Sequence, residues 1–270
     1  MLVALSDTGL YPLILFIFGL IVGSFLNVVI LRGISGGSVG GRSVCPHCDK
    51  TLRGWELVPL VSFIILRGRC QRCGKEISVQ YPLVELSYGF VLLIVGTPLP
   101  QSALGWAISL PLMIIIAVLL VLFVIDLKTM LLPDTFIILL SVVVAFVVAV
   151  RWFVADSAPL VLYWAAAGAL IGAGILGLIW LLTRGRGIGL GDVKLLIPVG
   201  ALLGPIDTIM LLFVSFMAGG VVAGYLLLTK QANMKTAIPF GPFLCAAAVL
   251  VLLAPQFVDQ VRQLLFGGYI

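Results

Sequence analysis

The sequence predicts an all-α polytopic membrane protein of about eight transmembrane helices with a small cytoplasmic insertion, and three observations carry that prediction. Hydrophobic residues fill 62% of the 270 positions and charged residues 10%, with a mean hydropathy of +1.26, far beyond the roughly 45–50% apolar share of soluble domains. A water-soluble core is excluded. Apolar runs near the roughly 20 residues needed to cross a bilayer recur along the chain. Lys and Arg, in turn, collect in alternate loops.

Taken in order, the runs cover residues 10–31, 83–100, 106–125, 135–150, 159–183, 193–204, 208–229 and 238–254. The first has no basic start and no small-residue cleavage site after it, so it is expected to stay in the protein rather than be removed as a signal peptide. The sixth is too short to span. It is expected to be tilted, half-spanning or buried by its neighbours, or to form the first part of a bent hairpin with 208–229.

Cytoplasmic loops hold an excess of Lys and Arg. The loop after the first run carries Arg32, Arg42, Lys50, Arg53, Arg67, Arg69, Arg72 and Lys75, and alternation puts Lys128, Arg184, Arg186, Lys194, Lys230 and Lys235 on the same side. Only Arg151 and Arg262 of the 16 basic residues fall outside. Both termini are then expected to be extracytoplasmic. The net charge of +5 is accounted for by this topology and by anionic headgroups of membrane lipid, with no nucleic acid as partner.

One soluble segment is large enough for structure of its own, which divides the chain into a first transmembrane helix (1–31), a cytoplasmic cysteine loop (32–82) and a transmembrane bundle (83–270). The loop opens on the Gly/Ser linker Gly33 to Gly41. Its apolar stretch Leu57 to Leu66 is half a span long and is expected to lie on or dip into the membrane surface. No 20–50-residue repeat is evident, which gives no support to an inverted-repeat transporter.

Cys45-Pro-His-Cys48 and Cys70-Gln-Arg-Cys73 are two CxxC pairs separated by 21 residues, a spacing close to that of a zinc ribbon. A structural Zn2+ on Cys45, Cys48, Cys70 and Cys73 would help to fold a loop with little core of its own. A redox pair and unligated reactive thiols are the competing readings, and His47, inside the first pair, is either a replacement for one sulfur or a bystander. Gly74 suits the tight turn after the second pair. Cys245, in the last run, reads as a small buried apolar residue.

Of the 11 acidic residues, Asp7, Asp156, Asp207 and Asp259 fall at external ends, and Asp49 and Glu56 in the soluble loop. Asp126 and Asp192 differ. Asp126 closes the apolar run Leu119 to Ile125, and Asp192 ends Gly187-Ile-Gly-Leu-Gly-Asp192 just before another. Ionisable groups at membrane depth are costly and mark function by default. Two carboxylates brought together can share a proton, one activating water and the other stabilising the oxyanion, which is aspartyl proteolysis. The glycines before Asp192 leave backbone open to an extended substrate. Singly, Asp126 also reads as a helix-end acid paired with Lys128, and Asp192 as an acid at a helix N-terminus.

These motifs, with others in the same order, resemble the type 4 prepilin peptidases, among the GxGD membrane aspartyl proteases. Gly23-Ser-Phe-Leu-Asn-Val-Val-Ile30 is similar to the opening signature; the two CxxC pairs, Leu66-Arg-Gly-Arg-Cys70 and Tyr81-Pro-Leu-Val-Glu85 follow. Ile125-Asp126 with Leu132-Pro-Asp134, then Gly189-Leu-Gly-Asp-Val-Lys194 and Ile238-Pro-Phe-Gly-Pro-Phe243, complete the set. The resemblance implies cleavage of prepilin and pseudopilin precursors after a short basic leader on the cytoplasmic side. It carries the catalytic roles to Asp126 and Asp192, with Asp134, Lys194, Gly189 and Gly191 in support. It also implies N-methylation of the new amino terminus with S-adenosylmethionine, assigned to the part containing the cysteine loop, with Glu85 as a cofactor-binding candidate whose competing reading is a helix N-terminal acid.

A proton-coupled transporter would spread ionisable residues through membrane depth, and here they sit in one layer. A non-enzymatic pilus or secretion assembly scaffold derived from such an enzyme would lack one aspartate, and this chain has both.

Overall fold

A computed structural model describes residues 10–37, 40–154, 158–231, 233, 236–254, 256 and 260. Asp7, Asp156, Lys235, Asp259, Arg262 and both chain ends lie outside the described residues. Nine α-helices are present among those described: α1 (Leu10–Ser35), the short α2 (Val61–Ile65), α3 (Gln80–Gly96), α4 (Ala103–Thr129), α5 (Asp134–Val154), α6 (Ala158–Thr183), α7 (Leu190–Leu203), α8 (Pro205–Leu228) and α9 (Gly241–Leu253). Each apolar run of the sequence coincides with one long or short helix. Five of them, α1, α4, α5, α6 and α8, are long and apolar enough to cross a bilayer, which makes this a multi-pass membrane protein. Helices α3 and α9 are shorter apolar ones.

The chain divides into two compact units, Met1–Met113 and Ile114–Ile270. The sequence assigned residues 83–100 to the bundle; in the structure α3 groups instead with α1 and the cysteine loop. The reason is close packing. A Cβ on Gly19 would sit 2.7 Å from Gly89 Cα, and one on Gly23 would sit 2.7 Å from Glu85 Cα. Gly19 and Gly23 therefore form a small-xxx-small face that lets α3 lie against the backbone of α1, the device by which helices associate where lipid removes the hydrophobic drive. Tyr11 Oη donates to Gly96 O at 3.0 Å, and Tyr88 Oη to Met113 O at 2.9 Å, so both buried phenols are satisfied.

In the second unit the core is aliphatic, built on Leu119, Leu122, Leu140, Leu176, Leu195, Leu196 and Leu211, all fully buried. The short α7 is largely buried by its neighbours, one of the outcomes that its length left open. A Cβ on Gly168 of α6 would fall 2.1 Å from Gly200 O, and one on Gly200 2.4 Å from Gly168 O, so α6 and α7 cross backbone to backbone. Arg151 Nη1 donates to Leu202 O at 3.0 Å and satisfies one carbonyl left open at the end of α7. A single residue, Gly204 at φ +82, separates α7 from α8, and Pro205 opens α8, where its missing N–H costs nothing.

Candidate active site and thiol centre

Asp126 lies in the last turn and a half of α4, where Leu119, Leu122 and Asp126 follow i, i+3, i+7 spacing and share the buried face. Only 4% of Asp126 is exposed. Asp192, 6% exposed, is in the first turn of α7. Its Oδ2 accepts the N–H of Gly189, the N-cap residue, at 3.2 Å, one of the donors that a helix start leaves open.

Both carboxylates face Gly241, the first residue of α9. A Cβ there would lie 2.6 Å from Asp126 Oδ2 and 3.2 Å from Asp192 Oδ1, so those oxygens are separated by no more than the sum of the two lengths. The Gly241 N–H donates to Asp126, and the positive end of the α9 dipole faces that carboxylate. The two acids thus form a buried dyad within the second unit. Cys245, one turn on in α9, is 1% exposed and within electrostatic reach of both.

The accompanying residues form a second, exposed layer. Lys194 Nζ donates to both oxygens of Asp134, at 2.8 and 3.0 Å, tying the start of α5 to α7. Among the described residues no ion pair joins Lys128 to Asp126. The glycines of the Asp192 motif serve packing and capping: a Cβ on Gly191 would meet Leu132 Cβ at 3.0 Å, and one on Gly189 would meet Asp192 Oδ2 at 3.3 Å. Sequence reasoning assigned no role to Gly241. Its only signal was the Ile238 to Phe243 motif, which does not say what the glycine touches.

In the first unit, the sulfurs of Cys45, Cys48, Cys70 and Cys73 all lie within 4.8 Å of one another, and Cys45 and Cys73 are 4.0 Å apart. Four thiolates at about 2.3 Å from a tetrahedral zinc would be about 3.8 Å apart, so the residues fit such an ion. The exposed His47 is outside the cluster. The two halves repeat one design. Cys45 N–H donates to Lys50 O and Cys70 N–H to Lys75 O, both at 2.9 Å, while Asp49 and Gly74 return N–H bonds to Cys45 O and Cys70 O. Asp49 (φ +51) and Gly74 (φ +69) occupy the same left-handed position, which glycine takes freely and Asp tolerates.

Backbone N–H groups of Cys73 and Arg72 pull the Cys70 thiol down to about 6. Against the N–H of Lys50, desolvation and the neighbouring thiols push Cys48 up to about 11. Glu56, read from sequence as an ordinary loop acid, is buried: it accepts the Arg53 N–H at 2.7 Å and Lys50 Nζ at 3.3 Å. Those contacts, the Arg53 N–H first, hold its carboxyl below the usual range.

Glu85 is 6% exposed. Helix α3 begins at Gln80, so Glu85 lies beyond its first turn and is no N-terminal acid. Its Oε2 accepts the Leu60 N–H at 2.9 Å, and its carboxylate also bonds the Ser24 side chain. Asn27 of α1 donates to Tyr81 O at 3.1 Å and accepts from Gln80 Nε2 at 3.2 Å, which fixes the start of α3 on α1.

An all-helical, multi-pass membrane protein with a buried pair of acids, one near the end of α4 and one in the first turn of α7, and a four-thiol module is the class these features define. The chain belongs to the type IV leader peptidase family. Residues 113–224 match the "Type IV leader peptidase family" and residues 17–98 the "Bacterial Peptidase A24 N-terminal domain". It is similar to the prepilin leader peptidase/N-methyltransferase of Burkholderia pseudomallei (strain 1026b), 33% identical over 98% of this chain and 91% of that protein. It is also 34% identical to the type 4 prepilin-like proteins leader peptide-processing enzyme of Escherichia coli O78:H11, over 88% of this chain and 92% of that one. The corresponding Bacillus subtilis (strain 168) prepilin leader peptidase/N-methyltransferase is 33% identical over 89% and 93%. No solved structure matches the chain.

Proposed function

We propose that this protein cleaves the basic leader from prepilin and pseudopilin precursors with Asp126 and Asp192, and then N-methylates the new amino terminus. The convergence of both carboxylates on Gly241 is the observation that carries the proteolytic half. Like charges this close cannot both ionise without cost, so the pair holds one proton. The ionised member takes a proton from water as it attacks the scissile carbonyl, and the protonated member bonds the developing oxyanion and later protonates the leaving amine. The Asp134–Lys194 pair fixes the entrance to α7 and acts through position.

Cys45, Cys48, Cys70 and Cys73 hold a zinc ion that is structural, since four thiolates leave it no open coordination site. S-adenosylmethionine supplies the methyl group. The eight apolar helices act as spans or half-spans in the bacterial inner membrane, with the dyad and the thiol module on the cytoplasmic side and both termini outside. The distribution of Lys and Arg supports that orientation. The exposed apolar side chains of Val61, Ile64 and Ile65 suit a segment lying on the lipid surface.

The test is Asp126→Asn and Asp192→Asn in membranes with a model prepilin. Each is expected to cut cleavage on the order of 10³-fold or more while the protein still accumulates. Normal processing by either variant would remove the dyad from the mechanism.

A further inference from the structure

The first unit contains a buried acid that cleavage does not use. Glu85 lines a cavity of about 140 Å³ bounded by α1, α3 and the two cysteine knuckles, with Ser24, Phe63, Tyr81, Cys45 and Cys70 among its walls. Two donors hold the carboxylate, the Leu60 N–H and the Ser24 hydroxyl. Both are neutral, and among the described residues no Lys, Arg or His lies within ion-pair distance of Glu85. The other carboxylate on the same cavity, Glu56, is already matched by Lys50.

A buried carboxylate is costly unless paired, and Glu85 is buried in spite of that cost. Gly23 packs on its Cα, and Leu60, which aims an N–H at it, sits at φ +58. A leucine in the left-handed region is strained, and such strain gathers at functional sites. We infer that Glu85 binds the ammonium of the newly exposed amino terminus and accepts its proton, which makes this cavity the place of methyl transfer. The inference rests on the methyl-transfer half of the function proposed above.

The chemistry demands such a group. An α-amino group is protonated below about pH 8, and an ammonium has no lone pair with which to attack. One N–H proton passes to the Glu85 carboxylate. The freed amine lone pair then forms the N–C bond to the methyl of a sulfonium donor as the S–C bond breaks, and that electron pair stays on sulfur as a neutral thioether. The product is a secondary ammonium, and Glu85 returns its proton to water. Burial disfavours both members of an ammonium–carboxylate pair, so an apolar cavity eases the transfer relative to water.

The experiment uses the purified full-length enzyme with wild-type side chains or Glu85→Gln, which keeps size and acceptor geometry. Four readouts are taken: precursor cleavage, methylation of a pre-cut peptide by mass spectrometry from pH 6.5 to about 9.5, S-adenosylmethionine binding by calorimetry, and binding of the pre-cut peptide. For Glu85→Gln we expect cleavage and cofactor affinity within about 3-fold of wild type, peptide binding weakened, and methylation down about 10²-fold at pH 7. We also expect partial recovery as the peptide amine deprotonates above about pH 8. A Glu85 that merely pins the Leu60 loop would show a pH-independent loss, or a loss of cofactor binding, and either would overturn the assignment. So would normal methylation by Glu85→Gln. Absence of methyl transfer in the wild-type enzyme would overturn the underlying function and this inference with it, an outcome distinct from a defect confined to the variant.

Discussion

The helical bundle of the second unit and the cysteine module of the first bury acids by different means. In the bundle, Asp126 and Asp192 sit among fully buried aliphatic side chains and are met by backbone N–H groups at helix starts, with no cation between them. In the module, Glu56 is met by Lys50 and by the Arg53 N–H, around a centre of four thiols with little apolar mass behind it. The bundle keeps its acids at a cost in charge because the packing around them is strong. The module neutralises its acid because its own fold is weak. Buried charge without a counter-ion is therefore the informative pattern here: it picks out the dyad and, on α3, Glu85, and it passes over Glu56.

Three tests bear on that contrast, and the largest effect comes from metal. Structural zinc in small domains contributes on the order of 10 kcal/mol, so chelation is expected to abolish hydrogen-exchange protection across residues 43–77 and to stop methyl transfer, while precursor cleavage by the bundle continues. Immediate loss of cleavage in a bundle that remains folded would mean that the ion takes part in proteolysis and that the two regions are not independent.

A smaller effect is expected from Gly241→Ala. The added carbon would stand 2.6 Å from Asp126 Oδ2, so the carboxylate or α9 must shift, and displacements of about 1 Å cost on the order of 10²-fold in rate. Cleavage should fall by that factor with methylation of a pre-cut peptide unchanged. An undiminished cleavage rate would show that the dyad tolerates looser geometry than its burial suggests.

The smallest concerns Glu56→Gln, which should lower the stability of the module by about 1 kcal/mol at neutral pH. The sign with pH follows from the depressed folded-state pKa. The contribution is complete above the unfolded value of about 4.3 and disappears as pH falls through the folded one. The difference between wild type and variant in exchange rates at residues 53–58 should therefore close in acid; a gap that persists there would mean that packing, not charge, holds the turn.

Much of this architecture could be read from the chain because membrane helices advertise themselves by length and composition. The apolar runs matched helices throughout, and the short length of the 193–204 run left tilting, a half-span, burial or a bent hairpin with 208–229 open, which only the structure could decide between. The thiol cluster was legible from spacing, since two CxxC turns can converge in few ways. What sequence could not supply was the partner of each residue. Gly241 approaches Asp126 from a helix far along the chain, and no local pattern encodes that meeting. Glu56 resembled any loop acid because its burial depends on Lys50 and on the turn at Arg53. The grouping of α3 with α1 came from Gly19 and Gly23, whose spacing was present but whose facing helix was not specified.

That glycine crossing has a mechanical consequence. With α1 and α3 in backbone contact, their axes run at the near end of the roughly 8–10 Å range of helix pairs, and the thiol module is a loop whose two anchorages share one footing. A module from a related enzyme could be transplanted by matching only those two attachment points, and a bulky side chain at Gly19 or Gly23 would spread them apart and unseat every side chain that the pair holds around Glu85.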